Sequence, residues 1–284
     1  MSYAYNWNGE LALGVKFSRQ KMTLMAGPCM FESYELGFQV ALALKQACAQ
    51  LNIGYIFKSS YDKANRTSDK SMRGPGAANG LLWLQKIRHD LQIPVLTDIH
   101  SPAQAIEAGK YVDILQIPAF LCEQESLLAA AASTQKAVQI KKGQHVSPEV
   151  MRNAARLLQK HGCHKILLCE RGSVYGYNNL VVDYRNLLEM GQDNHAVVFD
   201  ATHSAQLPGA AKGASSGLRH VIPGLTRAAV AFGIDGLFME VHPNPTAALS
   251  DAATQLSIPA ALQTLQVCAR IHSAVNNVEL ESHS

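Results

Sequence analysis

Residues 137–171 read AVQIKKGQHVSPEVMRNAARLLQKHGCHKILLCER and contain the pattern that decides the fold. Short apolar runs at 137–142 and 165–171 enclose an amphipathic segment at 148–161, which begins with a proline directly after a serine. A serine followed by proline is a common start of a helix, with the serine as N-cap and the proline at the first helical position. Near-continuous apolar runs are typical of parallel strands that are buried on both faces. The stretch therefore predicts a strand, a helix and a second, parallel strand.

The same pattern repeats along the chain. Further apolar runs lie at 22–28, 55–60, 94–100, 114–119, 196–203 and 236–243, and further amphipathic segments at 34–51, 81–91, 124–133, 216–232 and 259–275. Eight strands that alternate with helices predict an α/β fold, a (β/α)8 TIM barrel. We expect residues 1–284 to form one domain, with residues 1–20 as an N-terminal extension, a hairpin that closes the bottom of the barrel. A doubly wound sheet also alternates strands and helices, but it favours about six strands and a GxGxxG turn, and the sequence has no GxGxxG.

Composition and charge exclude several classes of protein. With 48% hydrophobic and 17% charged residues, the 284-residue chain is too apolar for disorder and long enough to bury a large core. The formal net charge of +3 gives no reason to expect a nucleic-acid or membrane partner. No apolar stretch is long enough to span a bilayer, and the N-terminus lacks the pattern of a secretory signal. Six cysteines without a CxxC pair indicate reduced thiols, so we expect a cytoplasmic protein.

Basic side chains concentrate where the predicted strands end. In a (β/α)8 barrel these ends open into one mouth, and active sites lie there. The cations are Lys58, Lys63, Arg66, Lys141 and Arg171. Because burying unpaired cations is costly, the mouth needs compensating anions. Ion pairs with Asp62, Asp98, Glu170 and Asp200 are one source. We favour a basic mouth that binds one or two phosphorylated or carboxylated ligands, with the acidic residues mostly elsewhere.

Four side chains suited to metal binding follow the first, seventh and eighth predicted strands. They are Cys29, His203, Glu240 and Asp251. These strands become neighbours when the barrel closes, so the four side chains could hold a divalent zinc, iron or manganese ion. Each also has an ordinary structural role, as a buried thiol or a hydrogen-bonded strand end. The residues alone leave both interpretations open.

Ten segments occur in a recognisable order. They are GPC-x-x-ES from residue 27, FKSSYDKANRTS from 57, RGPG from 73, TDIH from 97, QIPAFL from 116, KKGQ from 141, ERG…GYNNLVVD from 170, FDATHS-x-QLPG from 199, FMEVHP from 238 and ALSDAATQL from 248. Over about residues 22–256 the chain resembles the 3-deoxy-D-manno-octulosonate 8-phosphate synthases. The KANR segment with the DATHS and HP motifs separates that family from the sister heptulosonate phosphate synthases, which carry a different lysine–arginine motif.

The resemblance implies an enzyme, usually a homotetramer, that condenses phosphoenolpyruvate with D-arabinose 5-phosphate and water and releases inorganic phosphate. The product feeds lipopolysaccharide inner-core synthesis in the cytoplasm. The substrate-binding positions carried over from the family fall into four groups, and Asp98 at the end of the third strand is a further substrate-binding candidate. Lys58, Ser60, Lys63 and Gln116 would surround the phosphoenolpyruvate carboxylate, Lys141 and Arg171 would hold its phosphate, Asn65 would contact the sugar hydroxyls, and Arg66 with Thr67 would bind the sugar phosphate. Lys63 could also polarise the aldehyde.

The resemblance also implies a metal class. Members of the family that need a metal have cysteine after Gly-Pro, and the others have asparagine. Cys29 and the SDAATQL loop match the metal-dependent class, with Cys29, His203, Glu240 and Asp251 at the ligand positions. We expect Lys63, His203, Asp251 and Cys29 to be the catalytic residues. Asp251, Glu240 and His100 are candidates to accept the proton of the attacking water.

One position departs from the family. Glu123 stands where an arginine usually reaches the sugar phosphate of a neighbouring subunit. A carboxylate near a phosphate is repulsive, so either Lys70 or Lys142 compensates for it or the aldose differs. Gln139 and Asp69-Lys70 also depart from the common residues. We expect weaker or altered binding of the sugar phosphate.

Two other functions fit parts of the pattern. A Schiff-base aldolase could use Lys58 or Lys141 as its nucleophile on the same barrel, but it leaves Cys29 and Asp251 unexplained. A non-catalytic module that binds anions or nucleic acid predicts a basic outer face, whereas the cations here follow strands.

Overall fold

The computed structural model describes residues 10–18, 20–63, 75–176, 178–208 and 216–281. The strands of these residues, in chain order, are β1 (Glu10–Ala12), β2 (Val15–Lys16), β3 (Thr23–Gly27), β4 (Gly54–Lys58), β5 (Val95–Asp98), β6 (Ile114–Ile117), β7 (Ala137–Lys141), β8 (Ile166–Glu170), β9 (Ser173–Val174), β10 (Leu180–Val181), β11 (Ala196–Asp200), β12 (Gln206–Leu207), β13 (Ser216–Gly217) and β14 (Gly236–Glu240). Strands β3 to β8, β11 and β14 pair in parallel and close into a barrel, in which β14 joins β11 to β3. All eight predicted strands are present, so the (β/α)8 prediction is confirmed.

Helices connect the barrel strands. They are α1 (Tyr34–Gln50), α2 (Gly76–Leu91), α3 (Pro102–Ala108), α4 (Glu125–Ser133), α5 (Pro148–Lys160), α6 (Arg185–Met190), α7 (Ile222–Phe232) and α8 (Ile258–Glu281), with short 3-10 turns at Ala119–Leu121, Gln192–Asn194, His203–Ala205, Arg219–Val221 and Pro245–Ala247. Helix α5 begins as predicted, because the Ser147 hydroxyl accepts a hydrogen bond from the Val150 N–H at 3.4 Å. The helix predicted from residue 216 starts only at Ile222, since residues 216–217 pair with β12 instead.

The apolar core has two layers. The larger layer packs between the barrel and its helices, and the smaller one fills the inside of the barrel around Met25, Ile56 and Phe238. The β1–β2 hairpin adds Leu11 and Phe17 to the inner layer. Phe17 lies against the first residue of β14, because a Cβ on Gly236 would be 2.9 Å from its ring. The predicted N-terminal hairpin therefore closes the barrel at the amino ends of the strands, and the polar residues gather at the other end.

None of the helices among the described residues combines the length and the apolar character needed to cross a membrane.

Candidate active site

The segment after β3 is fixed against the end of β4, and this fixes the position of Cys29. A Cβ at Gly27 would lie 2.1 Å from the Lys58 carbonyl oxygen, so the chain can approach this closely only with glycine. The Ser59 hydroxyl donates to the Pro28 carbonyl at 3.0 Å, and the Phe31 N–H donates to the Ser60 carbonyl at 2.9 Å. The Cys29 N–H is capped by Gln255 Oε1 at 3.1 Å.

Three of the four predicted metal ligands form one cluster. The ligand atoms of Cys29, Glu240 and Asp251 all lie within 4.8 Å of one another. Asp251 Oδ2 is 3.1 Å from Cys29 Sγ. His203, the fourth predicted ligand, faces the same point, since its Nε2 is 3.7 Å from Glu240 Oε1 and 3.8 Å from Asp251 Oδ2. Closure of the barrel through the β14–β3 pair brings together residues from both ends of the chain.

The donor set of this cluster suits a divalent cation. Glu240 is fully buried, and its Oε2 has no hydrogen-bond partner in the part of the chain that the structure describes. Burial and the neighbouring Asp251 and Glu240 carboxylates raise the pKa of the Cys29 thiol well above its ordinary value. A bound cation would satisfy the unpartnered carboxylate oxygen and favour the thiolate, since metal binding displaces the thiol proton. A thiolate, an imidazole and two carboxylates together are a ligand set used for zinc and iron.

Asp200 contacts His203 on the Nδ1 side of the ring, opposite the Nε2 that faces the cluster. Its Oδ2 lies 2.8 Å from His203 Nδ1, and its Oδ1 accepts from the His203 backbone N–H at 2.9 Å. Asp200 is fully buried and is also hydrogen-bonded to Lys141 Nζ. Burial works against its charge, but His203 and Lys141 hold the pKa of Asp200 below its usual range. With Nδ1–H donated to Asp200 Oδ2, the lone pair of Nε2 points to the cluster, an arrangement common for metal-binding histidines.

Lys58 lies between the cluster and a second carboxylate. Its Nζ is 3.0 Å from Glu240 Oε1, 3.6 Å from Asp98 Oδ2 and 3.2 Å from Ser60 Oγ. Burial opposes its charge, but Glu240 and Asp98 raise the pKa of Lys58. The pKa of Lys63 is raised against burial as well, chiefly by Cys29 and Glu240. Both amines are therefore held as cations beside the cluster.

A polar chain runs across the barrel from Asp98. Asp98 accepts hydrogen bonds from the Ser60 hydroxyl and from Gln116 Nε2, and Gln116 Oε1 in turn accepts from Gln139 Nε2 at 2.6 Å. All four residues are buried. Burial would raise the pKa of Asp98, but Lys58 and Lys63 hold it below its usual range. The predicted ligands Ser60 and Gln116 are thus oriented by one ionised carboxylate.

Arg171 has unused hydrogen-bond donors. It is 4% exposed, and neither its Nε nor its Nη1 has a hydrogen-bond partner among the described residues. Its Nη2 donates to Gln206 Oε1 at 2.8 Å, and burial lowers the pKa of the guanidinium. The adjacent Glu170 turns its carboxylate to the N–H groups of Arg171 and Gly172, at 2.9 and 2.6 Å. A buried guanidinium with two open donors is suited to a phosphate or carboxylate.

The expectation of a basic mouth with few acids is wrong. The described cations of the mouth are Lys58, Lys63, Lys141 and Arg171, and the carboxylates among them are Asp98, Asp200, Glu240 and Asp251. Of the predicted ion-pair partners, Asp98 and Asp200 contact Lys58 and Lys141, whereas Glu170 lies 3.6 Å from Lys142 instead. Glu240 as a partner of Lys58 was not foreseen.

Other predicted positions have separate outcomes. Asn65, Arg66, Thr67 and Lys70 lie outside the described residues. His100 contacts Gln104 Oε1 through its Nδ1 at 3.1 Å. Glu123 is exposed on the loop after β6, whereas the buried Lys142 Nζ contacts Ser173 Oγ at 2.9 Å and Gly143 O at 3.2 Å. The described contacts of Lys142 are thus with residues other than Glu123, and compensation by Lys142 stays a prediction.

Comparison with known proteins places the chain in a family. The sequence model of the DAHP synthetase I family matches residues 15–276. The chain belongs to this family. Relatives named 2-dehydro-3-deoxyphosphooctonate aldolase include one from Desulfotalea psychrophila, 50% identical over 258 residues that cover 91% of this chain and 92% of the relative. A second, from Fusobacterium nucleatum, is 47% identical over 270 residues, or 95% and 96% of the two chains. A third, from Legionella pneumophila, is 49% identical over 243 residues, or 86% and 89%.

Sequence reasoning missed several polar residues of this family member. It treated Asp200 only as an ion-pair partner and did not assign Gln206 or Gln255 any role. Gln255 Oε1 caps the backbone of Cys29. Asp200 could have been found as a carboxylate three residues before a candidate histidine ligand, because such ligands commonly have a carboxylate partner. The contacts of the two glutamines depend on loop geometry that no local pattern reveals.

Proposed function

We propose that this protein condenses phosphoenolpyruvate with D-arabinose 5-phosphate and water to give 3-deoxy-D-manno-octulosonate 8-phosphate and inorganic phosphate. The octulosonate product serves lipopolysaccharide inner-core synthesis. The observation that carries the proposal is the Cys29–Glu240–Asp251 cluster beside Arg171, whose buried guanidinium keeps two open donors. This pairing suits a phosphorylated substrate that reacts next to a cation. The names of the relatives support the same activity.

The reaction makes one C–C bond and one C–O bond, the latter from water to C2, and breaks the C–O bond that joins C2 to the phosphate. C3 of phosphoenolpyruvate attacks the aldehyde carbon, water adds at C2, and the tetrahedral hemiketal phosphate releases phosphate by C–O cleavage. Arg171 and Lys141 bind the phosphate, and Lys58, Ser60 and Gln116 bind the carboxylate. Lys63 donates a proton or hydrogen bond to the aldehyde oxygen as it gains negative charge. These fixed cations stabilise the developing charge without reorganisation.

Cys29, His203, Glu240 and Asp251 would hold a divalent zinc, iron or manganese ion. When bound, the ion supplies Lewis acidity that orients the aldehyde or lowers the pKa of the attacking water. His203 would donate its Nδ1–H to Asp200 and offer its Nε2 to the ion. Asp251, Glu240 and His100 stay the candidate acceptors of the proton from water.

A product assay with both substrates, before and after treatment with a chelator, tests substrate and metal class together. We expect activity that the chelator removes and that added Zn²⁺ or Mn²⁺ restores. Full activity after rigorous metal removal would overturn the metal proposal, and no product with loaded enzyme would overturn the reaction.

The Schiff-base alternative is disfavoured by the charge state of Lys58. An amine nucleophile must be neutral, whereas Glu240 at 3.0 Å and Asp98 raise the pKa of Lys58. Lys141 is likewise paired with Asp200. Borohydride reduction in the presence of substrate should leave both lysines unlabelled.

An alternative aldose is the second candidate, because Glu123 is exposed and Lys142 is committed to Gly143 and Ser173. A related phosphoenolpyruvate-dependent synthase that uses a different sugar would turn over that sugar faster than arabinose 5-phosphate. A competition assay with several aldose phosphates distinguishes the two.

We also propose that the enzyme is a cytoplasmic homotetramer. The resemblance supports the assembly, and six buried free cysteines suit a reducing compartment. Light scattering should give four times the 30.8 kDa chain mass, and a monomeric mass would contradict the assembly.

A further inference from the structure

Gln206 connects two parts of the mouth that the mechanism uses for different tasks. Its Oε1 accepts from Arg171 Nη2 at 2.8 Å, and its Nε2 donates to Asp251 Oδ1 at 3.0 Å. A primary amide offers an acceptor and a donor on one carbon, so it can satisfy a guanidinium and a carboxylate at once. Neither a carboxylate nor an amine in this place could make both contacts.

The contact with Gln206 determines which oxygen of Asp251 faces the cluster. Oδ1 is bonded to Gln206, whereas Oδ2 lies 3.1 Å from Cys29 Sγ and 3.8 Å from His203 Nε2. The carboxylate thus turns a defined oxygen toward the cluster. Loss of the amide would remove the donor that binds Oδ1 in this orientation.

The backbone around Gln206 is fixed against the loop that carries Asp251. Gln206 pairs with Gly217 in the β12–β13 ladder, and a Cβ on Gly217 would lie 2.2 Å from Thr254 Cγ2. Arg219 Nη2 also donates to the Ala252 carbonyl. The two loops therefore meet at three places, and the amide is held at a set distance from the carboxylate.

Arg171 has one donor bonded to Gln206 and two buried donors without a partner among the described residues. Nη2 donates to Gln206, whereas none of the described residues accepts a hydrogen bond from the buried Nε or Nη1. A bound phosphate would use the two open donors and hold the guanidinium in the position from which Nη2 reaches Gln206. Phosphate, guanidinium, amide and Asp251 then form one continuous chain of hydrogen bonds.

We propose that Gln206 is a positioning residue that links the phosphate-binding Arg171 to Asp251, so that the phosphate subsite supports metal affinity. This inference rests on the proposed metal and phosphate sites. It adds a residue that touches neither the metal nor the reacting atoms and acts through the orientation of Asp251.

The first test measures Zn²⁺ affinity of the full-length, zinc-loaded protein by competition with a chelator. Gln206→Met keeps the length of the side chain and removes both hydrogen bonds. We expect the affinity to fall by about 10- to 100-fold, the usual effect of losing a partner of a metal ligand. Gln192→Met is the matched control, because Gln192 is exposed and bonds only to Arg152 among the described contacts. The Zn²⁺ affinity of Gln192→Met should equal that of the wild type.

The outcomes separate this inference from the proposed function. A wild type that binds no Zn²⁺ would overturn the metal proposal and the inference with it. If the wild type and Gln206→Met bind Zn²⁺ with equal affinity, the inference about Gln206 is overturned and the metal proposal stands. Circular dichroism on both variants establishes that they are folded.

The second test asks whether Arg171 acts through Gln206. Arg171→Met removes a cation near the metal, and this direct electrostatic effect is the same with or without Gln206. The difference between the two backgrounds therefore isolates the hydrogen-bonded route. We expect Arg171→Met to lower Zn²⁺ affinity more in the wild type than in Gln206→Met. Equal effects in the two backgrounds would show that Gln206 does not connect the subsites.

Discussion

Replacement of Asp200 by asparagine should destabilise the protein strongly. Asp200 is fully buried and bonds to Lys141 Nζ, to His203 Nδ1 at 2.8 Å and to the His203 N–H at 2.9 Å. Asparagine keeps the size, but it leaves the 5% exposed Lys141 without its counter-charge. Removing one partner of a buried ion pair costs about 3–5 kcal/mol. At about 2 °C per kcal/mol for a chain of this length, the melting temperature should fall by about 6–10 °C.

Asp193→Asn is the matched control. Asp193 pairs with Arg156 at 2.8 Å, but both side chains are about half exposed. Exposed ion pairs contribute about 0–1 kcal/mol, so the melting temperature should change by no more than about 2 °C. Both variants are measured by thermal and urea unfolding of the metal-free protein, which separates stability from metal binding.

A second variant checks the cause of the loss. In the double variant Asp200→Asn with Lys141→Met, no buried charge is left unpaired, so much of the lost stability should return. The reasoning is refuted if Asp200→Asn and Asp193→Asn lower the melting temperature equally. It is also refuted if adding Lys141→Met lowers the stability of Asp200→Asn as much as Lys141→Met lowers the stability of the wild type.

Three further predictions concern ligand binding, specificity and pH. Arg171→Met should raise the KM for phosphoenolpyruvate by a larger factor than Lys141→Met, because Arg171 has two unpartnered donors among the described residues whereas Lys141 is already paired with Asp200. Steady-state kinetics measure both KM values. A larger effect of Lys141→Met would contradict the assignment. Glu123→Arg should raise kcat/KM for arabinose 5-phosphate by about tenfold or more, as expected when a repulsive charge becomes attractive. Equal kcat/KM values for the wild type and the variant would show that Glu123 does not affect binding of the sugar phosphate. The pKa of Asp98 is lowered in the folded state, so its contribution to stability is present above the unfolded pKa of about 4 and is lost as pH falls below it. Urea unfolding between pH 5 and 3 should therefore show a shallower loss of stability for Asp98→Asn than for the wild type, by up to about 1.4 kcal/mol per pH unit.

The strands of the barrel could be predicted from sequence because each depends on a local apolar run. Two helices were missed for the same local reason. Helices α3 and α6 have seven and six residues, too few to show an amphipathic period. The signal of Ser101 followed by a proline was present at α3, and the Ser101 hydroxyl does accept from the Gln104 N–H at 3.2 Å.

The site could be predicted only in part, since strand ends specify location and not partners. Topology alone placed Cys29, His203, Glu240 and Asp251 at one mouth. The pairing of Lys58 with Glu240 joins residues 182 positions apart and depends on the closed barrel and on side-chain rotamers. The expectation of few acids in the mouth was wrong because it placed the strand-end carboxylates away from the cations. Buried cations and carboxylates must instead pair with each other, since an unpaired buried charge is costly.

The balance of charge in the mouth changes how substrate binding is understood. Lys58 and Lys141 each have a carboxylate partner before any ligand arrives. An incoming anion must therefore share or displace these partners, and its net gain from either lysine is small. Arg171 differs because, among the described residues, its side chain is hydrogen-bonded only to an uncharged amide, and its Nε and Nη1 have no partner there. The phosphate should thus draw its affinity mainly from Arg171, whereas the paired lysines supply charge that is needed later, when negative charge develops in the transition state. An amide in place of a carboxylate at Gln206 is what leaves the guanidinium available for that binding.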